Sequence, residues 1–261
     1  AAVAVVMTLS GHPILGLFAA IFAGAAAGFL TAFLQTKMKI QPILAGIITM
    51  TALYSINLMV MDDKANVPIT QQESIYTAFG SLVGKQAQGM ILSLLVLILA
   101  GAAMVLFLKT PFGLSVRATG DNESMVRSSS TNADLTKTAG LMGANACVAL
   151  SGAMIAHYNC YAEVRMGIGM VVIGLASFII GEIAVGIFVK RKGVLSGVVA
   201  AAVGSILYRL IIAQALELNF SSSSLKLITA IIVALAMSYP AICDSIALFR
   251  NCLLYTSPRP R

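Results

Sequence analysis

The sequence predicts an all-α fold, a polytopic bundle of transmembrane helices with seven complete spans and a partial one at the N-terminus. Of the 261 residues, 59% are hydrophobic and only 10% are charged. Soluble domains have roughly 45–50% apolar and about 25% charged residues. The apolar residues form continuous runs, which favours helices over the alternating strands of a membrane barrel. This composition excludes an ordinary soluble enzyme, a disordered protein and a nucleic-acid-binding module.

Seven stretches are long and apolar enough to be spans. A span needs about 20 mainly apolar residues, because a helix rises about 1.5 Å per residue through a hydrocarbon core about 30 Å thick. The stretches that meet or nearly meet this requirement are 14–34, 42–60, 89–108, 138–157, 167–189, 194–215 and 226–241. Residues 1–8 are also apolar, and we expect them to be the end of an eighth span in an N-terminally truncated chain.

The end of the chain differs from the rest. Residues 252–261 resemble translated adapter sequence and are predicted to be a non-native tail; the alternative is a short native basic tail. Apolar helical runs make up most of the remaining chain, so residues 1–251 are predicted to form a single transmembrane domain.

Lysine and arginine predict which connections are cytoplasmic, because cytoplasmic loops carry an excess of these residues. One set of alternate connections holds ten of them: Lys37, Lys39, Lys109, Arg117, Arg127, Lys137, Lys190, Arg191, Lys192 and Arg250. The other set holds four: Lys64, Lys85, Arg165 and Lys226. The first set is therefore predicted to be cytoplasmic. This asymmetry explains the net charge of +7 without a nucleic-acid partner.

Small residues at every fourth position predict where spans pack, because they let helix backbones approach closely in a membrane. Gly24 and Gly28 form one such pair. Ser196, Ala200 and Gly204 form a second stripe.

The cytoplasmic connection at 109–137 is longer than the usual loop of about 2–8 residues between helices. Pro111 and Gly113 are predicted to end the preceding helix. A short helix is predicted over 123–129, at the cytoplasmic membrane surface, with Met125 and Val126 as its apolar contacts.

Cap-forming residues frame this short helix. Asp121 and Asn122 lie directly before it and are suited to the N-cap position. Thr131 and Asp134 fit a capping box that starts the next span.

Several motifs in this region resemble the cytoplasmic loop of ABC importer permeases that serve branched-chain amino acids, ribose and related solutes. They are Thr110-Pro-Phe-Gly113, Arg117-Ala-Thr-Gly-Asp-Asn122, Met125 and Asp134-Leu-Thr-Lys137. The resemblance continues through Gly140-Leu-Met-Gly-Ala-Asn145, Ala149-Leu-Ser-Gly152, Gly167-Ile-Gly-Met170 and Gly174-Leu-Ala176. The segment Ile180-Gly-Glu-Ile-Ala-Val-Gly186 is most similar to the subgroup paired with tryptophan- or tyrosine-type binding lipoproteins.

This resemblance implies a permease subunit of the bacterial plasma membrane that forms the translocation pathway for a small solute, expected to be an amino acid. Its implied partners are a cytoplasmic ABC ATPase, an extracytoplasmic substrate-binding lipoprotein, a second permease subunit and membrane lipid. The chain has no G-x-x-x-x-G-K-[ST] phosphate loop, so ATP is expected to be hydrolysed by the separate ATPase. No catalytic residue, metal or cofactor is expected in this chain.

The resemblance also implies that the loop couples to the ATPase. The residues expected to take part are Phe112, Gly113, Arg117, Ala118, Gly120, Asp121, Asn122, Met125 and Arg127. Under the alternative interpretation, these residues only cap and solvate a surface helix.

Three polar residues at membrane depth are candidates for the translocation pathway: Asn145, Ser151 and Glu182. A charged side chain in the membrane core costs about 2.5–3.5 kcal/mol on insertion scales, so Glu182 is expected to face protein or water. It is either a hydrogen-bonded anchor or a pathway residue, and Asn145 and Ser151 could equally bond neighbouring helices.

Two other classes of function fit this sequence less well. An ion- or proton-coupled secondary transporter would use Glu182 and Arg209, but that class usually has more intramembrane charges and related halves. An intramembrane enzyme would need convergent reactive groups, which the sequence does not indicate.

Overall fold

The computed structural model of the chain describes residues 1–69, 74–77, 88–129, 131–188 and 193–217, together with positions 231, 234 and 238. These residues are mostly helical, as predicted. The chain divides into two compact units, one ending at Gly167 and the other beginning at Ile168.

The first unit contains seven described helices and two short strands. The helices are α1 (Ala2–Leu9), α2 (Pro13–Thr36), α3 (Pro42–Val60), α4 (Gln88–Lys109), α5 (Pro111–Asp121), α6 (Glu123–Ser128) and α7 (Ala133–Asn159). The strands are β1 (Asn66–Pro68) and β2 (Tyr161–Glu163). A proline begins α2, α3 and α5, where its missing N–H would have had no partner in the helix. The second unit contains α8 (Met170–Phe188) and α9 (Val194–Glu217).

Six of the seven predicted spans coincide with helices. Of the helices that the structure describes, α2, α3, α4, α7 and α9 are long and apolar enough to cross a membrane. Helix α8 contains a shorter apolar stretch, Met170–Gly186. The predicted span at 226–241 and the predicted tail at 252–261 lie outside the described residues, apart from the three isolated positions. The count of seven complete spans therefore stays a prediction.

The two strands pair with each other and pack on an apolar cluster of the first unit. β1 pairs with β2 antiparallel, with Val67 opposite Ala162. Both side chains are buried in an apolar cluster with Met61, Val5 and Ala156. The strands belong to two connections that the basic residues predict to lie on the outer side, so the structure brings together segments predicted to share a side.

The small residues pack as predicted. A Cβ atom at Gly24 or Gly28 on α2 would collide with the backbone of α7, at Asn145 and at Leu141 respectively. In the second unit, Gly204 of α9 lies equally close to the α8 backbone. Only glycine permits these helix crossings at the observed separation.

The predicted end of the preceding helix is confirmed, because α4 ends at Lys109. The sequence analysis did not predict the helix that follows: Pro111 and Gly113 lie inside α5. Proline suits the first turn of a helix, and the Thr110 hydroxyl accepts the Gly113 N–H at 3.0 Å, which caps α5.

The start of α7 also differs from the predicted capping box. Asn132, rather than Thr131, is its N-cap. The Asn132 Oδ1 accepts the N–H groups of Asp134 at 3.1 Å and of Leu135 at 3.3 Å. An N-cap side chain reaches the second and third amides of its helix, and Thr131 lies one residue too early to do so.

Candidate functional site

The predicted cytoplasmic connection folds as two short helices joined at Asn122. This residue is extended, with φ −154° and ψ 99°, and its Oδ1 accepts the Met125 N–H at 3.1 Å. The Ser124 hydroxyl donates to the same oxygen at 2.7 Å. Asn122 therefore ends α5 and caps α6, which confirms the predicted short helix with this residue as its cap.

One side of the α5–α6 segment is exposed. Leu114, Arg117 and Asp121 are spaced three and four residues apart on α5, which places them on one helical face, and all three are exposed. Met125 continues this surface on α6 with 68% of its side chain exposed. We call these four residues the docking face. They combine two apolar side chains with one positive and one negative charge.

The predicted coupling residues Phe112, Gly113, Ala118 and Gly120 lie outside the docking face, and Phe112 is exposed like the residues of that face. Phe112 packs edge-on against Phe107 with ring centroids 6.2 Å apart, and Gly113 is buried against the backbone at Phe107 and Leu108. Ala118 is half-buried and Gly120 is exposed. Phe112 and Gly113 therefore help to hold α5 against the end of α4.

The predicted coupling residue Arg127 is part of an intramolecular ion cluster. Its guanidinium donates to Glu123 Oε1 at 2.9 Å within α6 and to Asp134 Oδ1 at 2.6 Å on α7. Lys137 Nζ, also on α7, donates to Glu123 Oε2 at 2.5 Å. We call Glu123, Arg127, Asp134 and Lys137 the charge quartet. Each of its four members has an oppositely charged partner on the other helix.

The electrostatics of the quartet follow from this pairing. Hydrogen bonds from Lys137 and then Arg127 lower the pKa of Glu123 below its ordinary value. Hydrogen bonds to Glu123 and Asp134 raise the pKa of Arg127. The sequence reasoning missed Glu123 and Lys137 as site residues. The Glu123–Arg127 spacing of four residues is a local signal that could have identified the first pair.

A polar cleft of about 350 Å³ lies beside the quartet. Its other lining residues are Gln35, Thr36 and Lys39, at the end of α2 and in the connection to α3. The connections at 37–41 and 109–137, both predicted to be cytoplasmic, therefore meet at one end of the first unit.

A buried hydroxyl pair fixes α5 to α7. The Oγ1 atoms of Thr119 and Thr136 lie 2.8 Å apart, and both residues are buried. The Thr119 hydroxyl also lies 2.7 Å from the Ser115 carbonyl oxygen, and the Thr136 hydroxyl lies 3.0 Å from the Ala133 carbonyl oxygen. Because each hydroxyl has one proton, one of them donates to the other threonine and the second donates to the carbonyl of its own helix. Both short helices of the connection are thus tied to the first two turns of α7.

The three predicted pathway residues are divided between the two units, with Asn145 and Ser151 in the first and Glu182 in the second. Asn145 Nδ2 donates to the Leu141 carbonyl of its own helix at 2.9 Å. Ser151 is exposed on the same helix, six residues along, and so faces a different direction. Glu182 is exposed on α8 in the second unit. Their role in translocation stays a prediction.

Comparison with known proteins gives matches over most of the chain. The family profile described as "Branched-chain amino acid transport system / permease component" matches residues 1–190. The "Tyrosine transport system permease protein" of Clostridioides difficile (strain R20291) is 36% identical over 231 residues, which cover 88% of this chain and 74% of that protein. The "Uncharacterized protein RP368" of Rickettsia prowazekii (strain Madrid E) is 27% identical over 219 residues, which cover 84% of this chain and 76% of that protein. No solved structure gives a significant match.

Proposed function

Because the chain belongs to the family of permease components of branched-chain amino acid transport systems, we propose that its α5–α6 segment is the contact through which a separate ATPase drives transport. The resemblance noted from the loop motifs is confirmed by this membership. A permease component is a non-enzymatic membrane subunit, and the apolar helices indicate a multi-pass membrane protein. The family supports this function and gives no support to the ion-coupled alternative through Glu182 and Arg209.

The exposure of the docking face is the observation that carries the proposal. Leu114 on α5 is 60% exposed and Met125 on α6 is 68% exposed. Val126, the residue next to Met125, is buried. Arg117 and Asp121 between them offer charges of both signs. The docking face thus offers a partner both exposed apolar side chains and exposed charges, and protein interfaces combine the two kinds of contact.

Fixation to α7 gives this interface a mechanical consequence. The Thr119–Thr136 pair and the charge quartet join the segment to the first two turns of a helix long enough to cross the membrane. A partner that binds the segment differently in its two states shifts the equilibrium between two arrangements of α7. Nucleotide-dependent closure of an ATPase is such a difference.

The remaining partners follow from the family. Transport systems of this kind include an ATPase and a substrate-binding protein, and for this chain we propose an extracytoplasmic lipoprotein in the second role. We further propose a homodimer in the bacterial inner membrane, with no cofactor in the permease itself. The C. difficile relative is named a tyrosine transporter, so an aromatic amino acid is the proposed solute.

The docking face is tested by co-purification with the partner ATPase. Arg117→Ala and Asp121→Ala are expected to lose the ATPase, because each removes one charge from the contact surface. Lys64→Ala, an exposed lysine of the predicted outer connection, serves as the matched control and should retain it. Wild-type ATPase stoichiometry in both loop variants would contradict the proposal.

The solute is tested by uptake into proteoliposomes that contain the permease, ATPase and binding protein. Labelled tyrosine is expected to enter in an ATP-dependent manner and to be displaced by tryptophan more effectively than by leucine. Preference for leucine would shift the assignment to branched-chain amino acids. Uptake without ATP would contradict the importer mechanism.

A further inference from the structure

We propose that Glu123, Arg127, Asp134 and Lys137 are positioning residues, which hold α6 rigidly against α7 so that movement at the docking face reaches the membrane. This proposal rests on the proposed function for the source of the movement. The attachment itself is intramolecular and can be measured without a partner.

Helix α6 needs such an attachment. It has only six residues, far below the length at which an isolated helix is stable in water. Val126 is its one buried side chain, whereas Met125, which is expected to meet the ATPase, points outward. Burial therefore contributes little to fixing the orientation of α6.

The quartet supplies the missing connection through alternating charges. Glu123 lies between Arg127 and Lys137, and Arg127 lies between Glu123 and Asp134. Asp134 and Lys137 are three residues apart on α7 and so occupy one face of that helix. Two bonds cross between the helices, and both of the α6 residues take part, which restricts rotation of α6 as well as its separation from α7.

The position of the quartet separates this role from docking. Its side chains are between 33% and 52% exposed and are engaged with one another, while Leu114, Arg117 and Asp121 lie on a different helix. Removing one quartet charge leaves the docking face chemically intact. An ATPase could still bind α5, which the Thr119–Thr136 pair holds to α7, but the part of its movement that acts on Met125 would displace a loose α6 instead of moving α7.

The sharing of charges within the quartet makes the prediction specific for charge. Exposed ion pairs are individually weak, and they hold geometry only as a network. Without the Lys137 charge, Glu123 keeps only its pair with Arg127 of the same helix, and Arg127 also pairs with Asp134. One of the two bonds between α6 and α7 is then lost. Lys137→Gln should therefore loosen α6, whereas Lys137→Arg keeps the charge and should restore the attachment.

The first experiment measures α6 in the permease alone. The sequence contains no tryptophan, so Ser128→Trp places a single fluorophore at the exposed end of α6. In this background, Lys137→Gln is expected to lower the fluorescence anisotropy and to add a nanosecond decay component, the timescale of loop motion. Lys137→Arg should restore the anisotropy. Lys109→Gln, which removes a lysine of the same connection that has no ion pair among the described residues, should leave it unchanged.

The second experiment measures solute transported per ATP hydrolysed in reconstituted vesicles. Lys137→Gln and Arg127→Gln are expected to co-purify with the ATPase at wild-type stoichiometry and yet to lower this ratio on the order of tenfold, the usual range of coupling between two sites. Lys137→Arg should recover the ratio, which a folding defect would not predict.

The outcomes are distinguishable from those of the docking test. Unchanged anisotropy in Lys137→Gln and Arg127→Gln would overturn the positioning role, whatever the partner does. Loss of the ATPase from these variants would place the quartet in the docking face and would also overturn it. If instead the Arg117 and Asp121 variants bind the ATPase normally, the proposed docking face fails, while the anisotropy still decides whether the quartet fixes α6.

Discussion

Replacing Gly28 by alanine is expected to force α2 and α7 apart. The added Cβ would lie 2.5 Å from the Leu141 carbonyl oxygen and 2.8 Å from the Met142 Cα. Carbon–oxygen contacts between helices are normally about 3.3–3.6 Å, so α2 must move by roughly 1 Å at this crossing. Because both obstructing atoms belong to the backbone, no rotamer change can relieve the collision.

The free energy of unfolding should fall by about 2–3 kcal/mol. Overpacking of a filled interior costs about 1–3 kcal/mol, and a backbone collision belongs in the upper part of that range. A radial gap of about 0.5–1 Å also forfeits a quarter to a half of the dispersion attraction at each neighbouring contact. Membrane helices associate largely through such packing, so the loss is not recovered elsewhere.

Reversible unfolding of the purified permease in mixed micelles measures this change. The control is Gly46→Ala on α3, where nothing lies within 4 Å of the added Cβ. Alanine is favoured over glycine in a helix interior by roughly 0.5–1 kcal/mol, so this control should be neutral or slightly stabilising. Equal unfolding free energies for the two variants would refute the claim that α2 and α7 need glycine at their crossing.

Three further tests concern the end of the first unit that holds the charge quartet. Thr119→Val should cost about 0.5–1.5 kcal/mol by breaking the buried hydroxyl pair, and a double-mutant cycle with Thr136→Val should give a combined loss smaller than the sum. Asn132→Ala removes the N-cap of α7 and should lower the unfolding free energy by about 1 kcal/mol, whereas Thr131→Ala should change it by much less. Glu123 has a pKa below its ordinary value of about 4.3, so its ion pairs stabilise the fold above that pH and are lost as pH falls through the lower folded-state pKa. Unfolding midpoints should be measured between pH 3 and pH 7, roughly the range that brackets this titration. As the pH falls, the midpoint should decline less in Glu123→Gln than in the wild type. Parallel curves would exclude a contribution from this carboxylate.

Several features of the fold could be predicted because they depend on short segments. The six matching spans are continuous apolar runs, and their helical state follows from the need to satisfy every backbone hydrogen bond within a membrane. Helix α6 was predicted because Asn122 is a strong N-cap residue directly before it. The α2–α7 contact was partly predictable, since the Gly24 and Gly28 spacing indicates a close crossing but does not name the partner helix.

Helix α5 was not predicted, although the end of α4 directly before it was. Pro111 and Gly113 were interpreted only as residues that end the preceding helix, yet proline at the first helical position also begins a helix, and Gly113 is needed where α5 folds back on the end of α4. Local propensity allowed a loop or a new helix after Lys109. The new helix is compatible with the close approach of α5 to the end of α4 because residue 113 is glycine.

The sequence alone indicated a helical membrane protein and its family, and it predicted which connections share a side. Hydrophobicity, basic residues and short motifs are properties of contiguous residues, so they can be recognised without the tertiary structure. The tertiary structure decided which side chains of the 109–137 connection are exposed and which are engaged internally. Arg127 was predicted to contact the ATPase, but in the structure it pairs with Asp134 of α7, and Glu123 pairs with Lys137 of α7. Those neighbours depend on the direction in which the chain turns after α6, which no local pattern specifies.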